Sequence, residues 1–505
     1  MTSAIETSGG RVEGTVKQGV QQFRGIPFAA PPVGDLRFRP PQPAEPWVGV
    51  LDATRFGPQG LQAPSQLETL FGGTPPPSSE DCLTLNVYTP AADGGRRPVM
   101  VWIHGGAFLT GAGSTPWYNG TSFAANHDIV VVTVNYRLGA FGFLHLDDIG
   151  GDAFGGSGNA GILDQVAALD WVREDIEAFG GDPNNVTVFG ESAGAMSVGT
   201  LLGLPVAKGL FAKAIPQSGA AHNAKPRDDA DAIARDLLAA LGLDATPAGA
   251  ARLRELPAEA VLEAQNAVVA KHLPIFGLAF TPVVDGIVLP EPPIDAIGAG
   301  SAGGVRVLIG TNADEMKLFT VLDPASSDLD EARLIKRVIA AVGDAGKAAE
   351  LVTAYRSHRP GVSAAELWGD MQGDYIFRIP AIRLAEHQSA RDNAVYSYLF
   401  DWPSPQFGGA LGACHALEIP FAWNTLDTGM SQMFTGAVDQ PVRDLAGAMH
   451  TAWATFARTG TPAAPGLPDW PAYDTERRAT MVFDVPCRVE DDPGAADREA
   501  WSGLR

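Results

Sequence analysis

Residues 190–194 read Gly190-Glu191-Ser192-Ala193-Gly194, and they directly follow the apolar run Val186–Phe189. This run predicts a buried strand, and the apolar stretch that continues from the motif through Leu202 predicts a helix. A serine between two glycines at a strand-to-helix turn is typical of a nucleophile, because the tight turn needs small neighbours and exposes the hydroxyl. The motif therefore predicts an α/β sheet with Ser192 at the end of one strand.

The rest of the chain repeats this alternation of apolar runs and helical patterns. Further strands are predicted at Val99–Ile103, Ile129–Asn135, Val305–Ile309 and Ala394–Phe400. A helix is predicted at Ile162–Phe179, where the apolar spacing makes one face. These elements predict the α/β-hydrolase fold, with a large, mostly parallel central sheet flanked by helices. We expect one domain, 1–505, containing a helical lid or regulatory region at about 320–390.

Composition excludes several classes of function. The net charge of −22 repels nucleic-acid phosphates and anionic membranes. No run of about 18 apolar residues predicts a membrane span, and the first ten residues lack a signal-peptide pattern. The three cysteines are too few and too widely spaced for a disulfide framework or a zinc site. We expect a cytoplasmic protein.

A nucleophilic serine needs a base, and in this fold the chain order is serine, acid, histidine. His415 follows the strand Ala394–Phe400 in a loop, where such sheets place their chemistry. The competing His387 and His450 fall within helical patterns, and His358 precedes Arg359-Pro360 between helices. Position therefore favours His415.

The acid is predicted in the loop after Val305–Ile309. Asp314 and Glu315 both stand there, and pattern alone does not choose between them.

A glycine-rich segment, His104-Gly105-Gly106-Ala107-Phe108, follows the strand Val99–Ile103. Its amides, with that of Ala193, are placed to hold the negative charge of an oxyanion.

Taken together, these residues resemble the type-B carboxylesterase family, which includes cholinesterases and bacterial para-nitrobenzyl esterases. The resemblance covers nearly the whole chain. It includes Phe23-Arg24-Gly25-Ile26-Pro27-Phe28-Ala29, Glu80-Asp81-Cys82-Leu83-Thr84-Leu85-Asn86-Val87, Asn135-Tyr136-Arg137-Leu138-Gly139 and Gly158-Asn159-Ala160-Gly161-Ile162-Leu163-Asp164-Gln165.

The resemblance implies a role for each matching residue. The triad would be Ser192, Glu315 and His415. The oxyanion donors would be Gly106, Ala107 and Ala193, with Gly105 shaping the turn. Glu191 and Ser218 would support the triad, and the ion pairs Arg37–Glu80 and Arg137–Asp164 would hold loops around the site. Phe276 and Leu278 would form the acyl-pocket wall, and we expect Phe108 to line the same pocket.

The sequence also departs from the family pattern. Ala416 stands where glycine usually follows the histidine, and Met316 where glycine usually follows the glutamate. The loop Gln62–Ser79 lacks the tryptophan with which cholinesterases hold quaternary ammonium, so choline esters are not expected substrates. The cysteine that secreted relatives pair with Cys82 is also missing, so a buried free thiol is expected.

These features predict a serine carboxylesterase that acts on short-to-medium acyl, aryl or benzyl esters through an acyl-enzyme. The alternatives are an enzyme tuned to carbamate, xenobiotic or polyester-type esters, and a non-catalytic adhesion-type relative. No cofactor or metal is expected. The expected partner is a small-molecule ester, without nucleic acid or membrane, and the protein is expected to be a monomer or small homo-oligomer. We expect His415 to ionise near or below neutral pH.

Overall fold

The architecture is built around one large sheet. A computed structural model describes residues 2–64, 76–272, 278–321, 328–391 and 394–504. Its strands are β1 (Thr2–Thr7), β2 (Gly10–Lys17), β3 (Val20–Pro27), β4 (Val50–Asp52), β5 (Gln59–Gly60), β6 (Ser78–Ser79), β7 (Thr84–Thr89), β8 (Arg97–Ile103), β9 (Val130–Val134), β10 (Gly181–Glu191), β11 (Lys213–Gln217), β12 (Lys225–Pro226), β13 (Val283–Val284), β14 (Arg306–Asn312), β15 (Val395–Phe400), β16 (Ala479–Phe483) and β17 (Arg488–Asp491).

Helices lie between these strands. In the described residues they are α1 (Thr121–His127), α2 (Gly139–Phe143), α3 (Asp147–Gly150), α4 (Ala160–Asp175), α5 (Ala193–Gly203), α6 (Arg227–Ala240), α7 (Pro247–Leu253), α8 (Ala258–His272), α9 (Pro293–Ala299), α10 (Lys317–Val321), α11 (Glu331–Val342), α12 (Ala345–His358), α13 (Ala364–Gly373), α14 (Ile379–Ser389), α15 (Ile419–Ala422), α16 (Gly429–Thr435), α17 (Gln440–Thr459) and α18 (Ala495–Ala500). A π-helical turn, Asp374–Arg378, joins α13 to α14.

Thirteen of the described strands form the main sheet, in the order β1-β2-β3-β7-β9-β8-β10-β11-β14-β15-β16-β17, with β4 beside β2. The run from β9 to β16 is parallel throughout. The predicted α/β-hydrolase fold with a mostly parallel sheet is therefore confirmed. All five predicted strands are present, and the predicted helix is α4 with a 3₁₀ turn to Phe179. The antiparallel strands at both edges were not predicted.

Alternating side chains of the central strands supply two separate cores. Along β8, Val99, Val101 and Ile103 pack in one apolar cluster, which also contains buried residues of α4 and α5. Met100 and Trp102 point to the opposite cluster, which contains the buried face of α17. This two-residue period is that of a strand covered on both faces, so the sheet is held rigidly between helical layers.

A third apolar cluster lies outside the sheet, among helices α11 to α14. Buried residues of these helices, including Leu351 and Trp368, pack with Trp501, which directly follows α18. These helices fall in the region where the sequence predicts a lid or regulatory subdomain. The division into one domain with such a subdomain stays a prediction.

Candidate active site

Ser192 lies at the turn between β10 and α5, with φ 56° and ψ −124°. A positive φ is strained for a residue with a Cβ, and such strain is common at nucleophile turns. The flanking glycines permit the turn, because a Cβ on Gly190 would lie 2.6 Å from the carbonyl oxygen of Ile103, and one on Gly194 would collide with the same oxygen. The motif's glycines are therefore required by the close approach of β8.

The loop after β8 presents unbonded backbone amides beside this serine. Gly106 has φ 110°, and Ala107 has φ 58°. Within the described part of the chain, the amides of Gly106, Ala107 and Ala193 donate no hydrogen bond. Gly105 must be small, since a Cβ there would lie 3.0 Å from that of Ser192. The predicted oxyanion donors thus face no protein acceptor, as a site for an anionic oxygen requires.

His415 and Glu315 form a buried pair. Nδ1 of His415 lies 2.6 Å from Oε2 of Glu315, and the other carboxylate oxygen accepts the amide of Asn312 at 2.8 Å. Asp314, the alternative acid, pairs instead with Lys317 at 2.8 Å and accepts the amide of Ala413. The structure therefore brings Glu315, and not Asp314, to the imidazole.

The other ring nitrogen of His415 meets a second carboxylate. Nε2 lies 3.0 Å from Oε1 of Glu191, in ion-pair contact without hydrogen-bond geometry, since that oxygen has no hydrogen-bond partner. No hydrogen bond joins the Ser192 hydroxyl to His415, both of which the structure describes. Catalytic hydrogen bonds of this kind are often long in the free enzyme and tighten with substrate.

Glu418 is a third buried carboxylate near the histidine that the sequence did not reveal. Its oxygens accept from Asn312 at 2.7 Å and from Gln217 at 3.2 Å. The side chain is completely buried, and it stands three residues after His415 in the chain. No motif contains Glu418, and the one signal in the sequence is its position three residues after His415.

These carboxylates shift the protonation of the site. Burial alone would lower the pKa of His415, but the nearby Glu191 and Glu315 outweigh it and raise the pKa to about 9. The expected ionisation near or below neutral pH is therefore wrong, because the resemblance named Glu191 only as a support of the triad and did not show its carboxylate 3.0 Å from the imidazole. Burial raises the pKa of Glu191 to about 8, although the charge of His415 opposes it. Burial, with Glu315, raises the pKa of Glu418 to about 7.

The remaining candidate histidines lie in helices, and His450 and His358 have structural partners. His450 is buried in α17, with Nδ1 2.8 Å from the carbonyl oxygen of Ala422. His358, predicted between helices, is the last residue of α12 and lies 2.7 Å from Asp497. His387 lies in α14, as predicted.

A cavity of about 440 Å³ opens onto Ser192 and Ala107. Its apolar lining residues include Met196, Leu278, Met316, Phe319, Ile376 and Phe377. The rings of Phe377 and Phe319 also pack on His415, with centroids 4.7 and 5.4 Å from that of the imidazole. They shield the imidazole of His415 from water, and the sequence did not predict either of them as pocket residues.

Of the three predicted pocket residues, one lines this cavity, one lies in the core and one is outside the described residues. Leu278 does line the cavity. Phe108 is fully buried and packs on Phe143, with centroids 5.0 Å apart, so its side chain belongs to the core. Phe108 was predicted to line the pocket because it directly follows the oxyanion loop in the sequence. Its backbone, with φ 58°, instead places the side chain in the core. Phe276 lies outside the described residues.

Comparison with known proteins decides the family. The model of the Carboxylesterase family matches residues 1–501. The para-nitrobenzyl esterase of Bacillus subtilis (strain 168) is 42% identical over 498 residues, which cover 98% of this chain and 97% of that protein. The chain belongs to the carboxylesterase family. It is a carboxylic ester hydrolase.

Two further relatives of this carboxylesterase extend the comparison. The phenmedipham hydrolase of Pseudarthrobacter oxydans is 38% identical over 490 residues, which cover 94% of each chain. The crystal structure of the Geobacillus stearothermophilus carboxylesterase EST55 at pH 6.2 aligns with a TM-score of 0.89 and 44% identity, and the alignment covers 99% of this chain and 100% of that one.

The ion pairs implied by the resemblance are formed in the carboxylesterase. Arg137 and Asp164 are both buried and bond through two guanidinium nitrogens, at 2.8 and 2.6 Å. Arg37 donates to Glu80 through Nε at 2.6 Å and also caps three carbonyls at the end of α7. Bidentate pairs of this kind hold loops in one geometry.

The remaining predicted residues have defined environments. Ser218 is buried with φ 51°, and its hydroxyl has no hydrogen-bond partner in the described part of the chain. Ala416 has φ 66°, a left-handed backbone that favours glycine. Cys82 is a buried free thiol, as expected. Among the described helices, none is long and apolar enough to cross a bilayer.

Proposed function

We propose that this carboxylesterase hydrolyses short-to-medium acyl, aryl or benzyl esters through an acyl-enzyme on Ser192. The observation that carries the proposal is a strained serine that lies beside three backbone amides without hydrogen-bond acceptors, together with the buried pair His415–Glu315. A serine hydroxyl is almost never ionised at neutral pH, so it needs a base to attack an ester carbonyl. His415 is the base, and Glu315 fixes its tautomer and stabilises its cation.

The reaction then follows from the geometry. His415 takes the Ser192 proton as the oxygen bonds to the carbonyl carbon, and the carbonyl oxygen becomes an oxyanion. The amides of Gly106, Ala107 and Ala193 hold that charge, and one such donor contributes about 3 kcal/mol to transition-state binding. His415 protonates the leaving alcohol and then activates water, which releases the acid.

The substrate range rests on the cavity. Its apolar wall is bounded, so each methylene that fits contributes about 0.8 kcal/mol until the wall is reached. A second candidate is turnover of xenobiotic or carbamate esters. A relative named for phenmedipham hydrolysis favours it, so phenmedipham is the first such compound to test. We retain a cytoplasmic location and a monomer or small homo-oligomer as proposals.

The test measures hydrolysis of p-nitrophenyl acetate and labelling by an organophosphate. Ser192→Ala should abolish both while the protein remains folded by circular dichroism. Ser357→Ala, which changes an exposed serine, is the matched control and should keep both. Labelling of another serine, together with full activity of Ser192→Ala, would refute the mechanism.

A second pair of variants tests the acid. Glu315→Gln should lower kcat by about 10³- to 10⁴-fold, because the imidazole loses its orientation and charge partner. Asp314→Asn removes the neighbouring carboxylate, which contacts Lys317 and not His415, and should keep most of the activity. The reverse result would assign the acid to Asp314.

A further inference from the structure

The cavity that opens onto Ser192 also has polar lining residues that the proposed mechanism does not use. They are Lys225, Asn223, His222, Asp229, Thr281, Gln372 and Tyr375. The position of Lys225 is fixed by the backbone, since its amide donates to the carbonyl of Pro282 at 2.8 Å and its residue pairs with Val283 across β12 and β13. The lysine is therefore held at the cavity wall and is not on a free surface.

The ammonium group of Lys225 contacts no hydrogen-bond or ion-pair partner in the part of the chain that the structure describes. The residue is half-buried, and within the described residues its side chain makes no hydrogen bond and no ion pair within 4.0 Å. Asp229 lines the same cavity and its charge acts on Lys225, but the two form no ion pair within 4.0 Å, and Asp229 is exposed to solvent, which screens it. Burial lowers the pKa of Lys225, and Asp229 opposes this effect. A partly desolvated cation with no counter-ion in contact is costly unless a ligand supplies one.

Asn223 presents a second unused donor two residues away. Its Nδ2 is buried and donates to no described residue. A buried N–H without an acceptor destabilises the folded protein, so an acceptor that enters the cavity would restore the lost bond. A cation and an amide donor from two residues that line the same cavity offer donors for the two oxygens of a carboxylate.

We propose that Lys225 and Asn223 bind a carboxylate carried by the ester substrate, so that the enzyme accepts half-acid esters that a purely apolar pocket would exclude. This inference rests on the proposed function of Ser192. The net charge of −22 repels anions at long range, but salt screens that field within about 8 Å at physiological ionic strength, and the local cation then decides. The carboxylate can belong to the acyl group, as in a dicarboxylic acid monoester, or to the alcohol.

The experiment compares matched esters. On the acyl side, p-nitrophenyl hydrogen adipate is compared with p-nitrophenyl hexanoate, which has the same chain length without the charge. On the alcohol side, 4-acetoxybenzoate is compared with its methyl ester. The measured quantity is the ratio of kcat/KM for the charged ester to that for the neutral ester. The variants are Lys225→Met, Asn223→Asp and Lys208→Met, and the last is a matched charge change at an exposed lysine.

Lys225→Met should lower the ratio about tenfold or more on one side, mainly through KM, because a charge-assisted hydrogen bond is lost. The neutral ester is the internal reference for each variant, and Lys208→Met should leave the ratio unchanged. The side that responds identifies which end of the ester carries the carboxylate. Asn223→Asp places a negative charge beside the lysine and should lower the same ratio, so it tests the site even if Lys225→Met does not fold.

Two results would overturn the inference. One is a ratio that Lys225→Met and Asn223→Asp leave unchanged on both sides. The other is wild-type enzyme that hydrolyses p-nitrophenyl hexanoate but neither charged ester. Failure to hydrolyse p-nitrophenyl hexanoate would instead count against the proposed function, so the two failures are distinguishable.

Discussion

Replacing Glu191 by glutamine should move the pH dependence of the enzyme to lower pH. Glu191 is the carboxylate that contacts Nε2 of His415, at 3.0 Å. A negative charge there favours the imidazolium, which cannot act as a base, and the pKa of His415 is raised to about 9. The activity kcat/KM therefore increases as pH rises through this pKa. Glu191→Gln keeps the shape of the side chain and removes its charge.

The size of the shift in the pKa of His415 can be calculated from the distance between its Nε2 and Oε1 of Glu191. Two unit charges 3.0 Å apart attract by about 5.5 kcal/mol at an effective dielectric of 20, which is about four pKa units. This is an upper bound, because burial raises the pKa of Glu191 to about 8 and leaves the carboxyl protonated much of the time. We expect the midpoint of the acid limb to fall by about one to two units.

The assay measures kcat/KM for a neutral ester from pH 5 to 10. Hydrolysis is monitored by pH-stat titration of the released acid. Glu259→Gln, at an exposed glutamate in α8, is the matched control and should keep the wild-type midpoint. An unchanged midpoint in Glu191→Gln, or one displaced to higher pH, would show that Glu191 does not set the protonation of His415.

Three further variants test other parts of the site. Ala416→Gly should raise the free energy of unfolding by about 1 kcal/mol, since φ is 66° at this residue, and denaturant titration measures it. Met316 lines both the Ser192 cavity and a neighbouring cavity of about 300 Å³, so Met316→Ala should shift the p-nitrophenyl ester preference to longer acyl chains, by about fourfold per added methylene that fits. Arg137→Met should lower the free energy of unfolding by about 3–5 kcal/mol, because it leaves Asp164 buried and unpaired, and an unchanged denaturation midpoint would contradict this.

The fold could be predicted because its signals are local. The parallel strands are short apolar runs, and the motif around Ser192 combines a strand, a tight turn and a helix within a few residues. The antiparallel edges escaped prediction, since β1 to β3 carry mixed polar and apolar residues whose pairing depends on distant partners such as β7. Element type is local, whereas strand order is not.

The site was predictable only where the chain carries a motif. Motif and family resemblance led to Glu315 as the acid, and the structure places it against His415. Glu418 and Phe377 lie in no motif, and they reach the histidine through the packing of a loop and a π-helical turn. Phe108 shows the converse. Its neighbours in sequence face the site, but the backbone turns its side chain into the core.

The active site combines a hydrophobic shield with an excess of negative charge, and the two features act against each other. The rings of Phe319 and Phe377 exclude water from the imidazole, which strengthens every charge interaction around it. Glu315, together with Glu191 and Glu418 when they are ionised, favours the protonated form of the His415 imidazole and raises its pKa to about 9. In the proposed mechanism, the same charges would stabilise the imidazolium that forms when Ser192 attacks the ester. We therefore expect these carboxylates to reduce the fraction of unprotonated His415 in the free enzyme and to stabilise the transition state. Glu191→Gln should separate the two effects by raising activity at low pH while lowering the maximal rate at high pH.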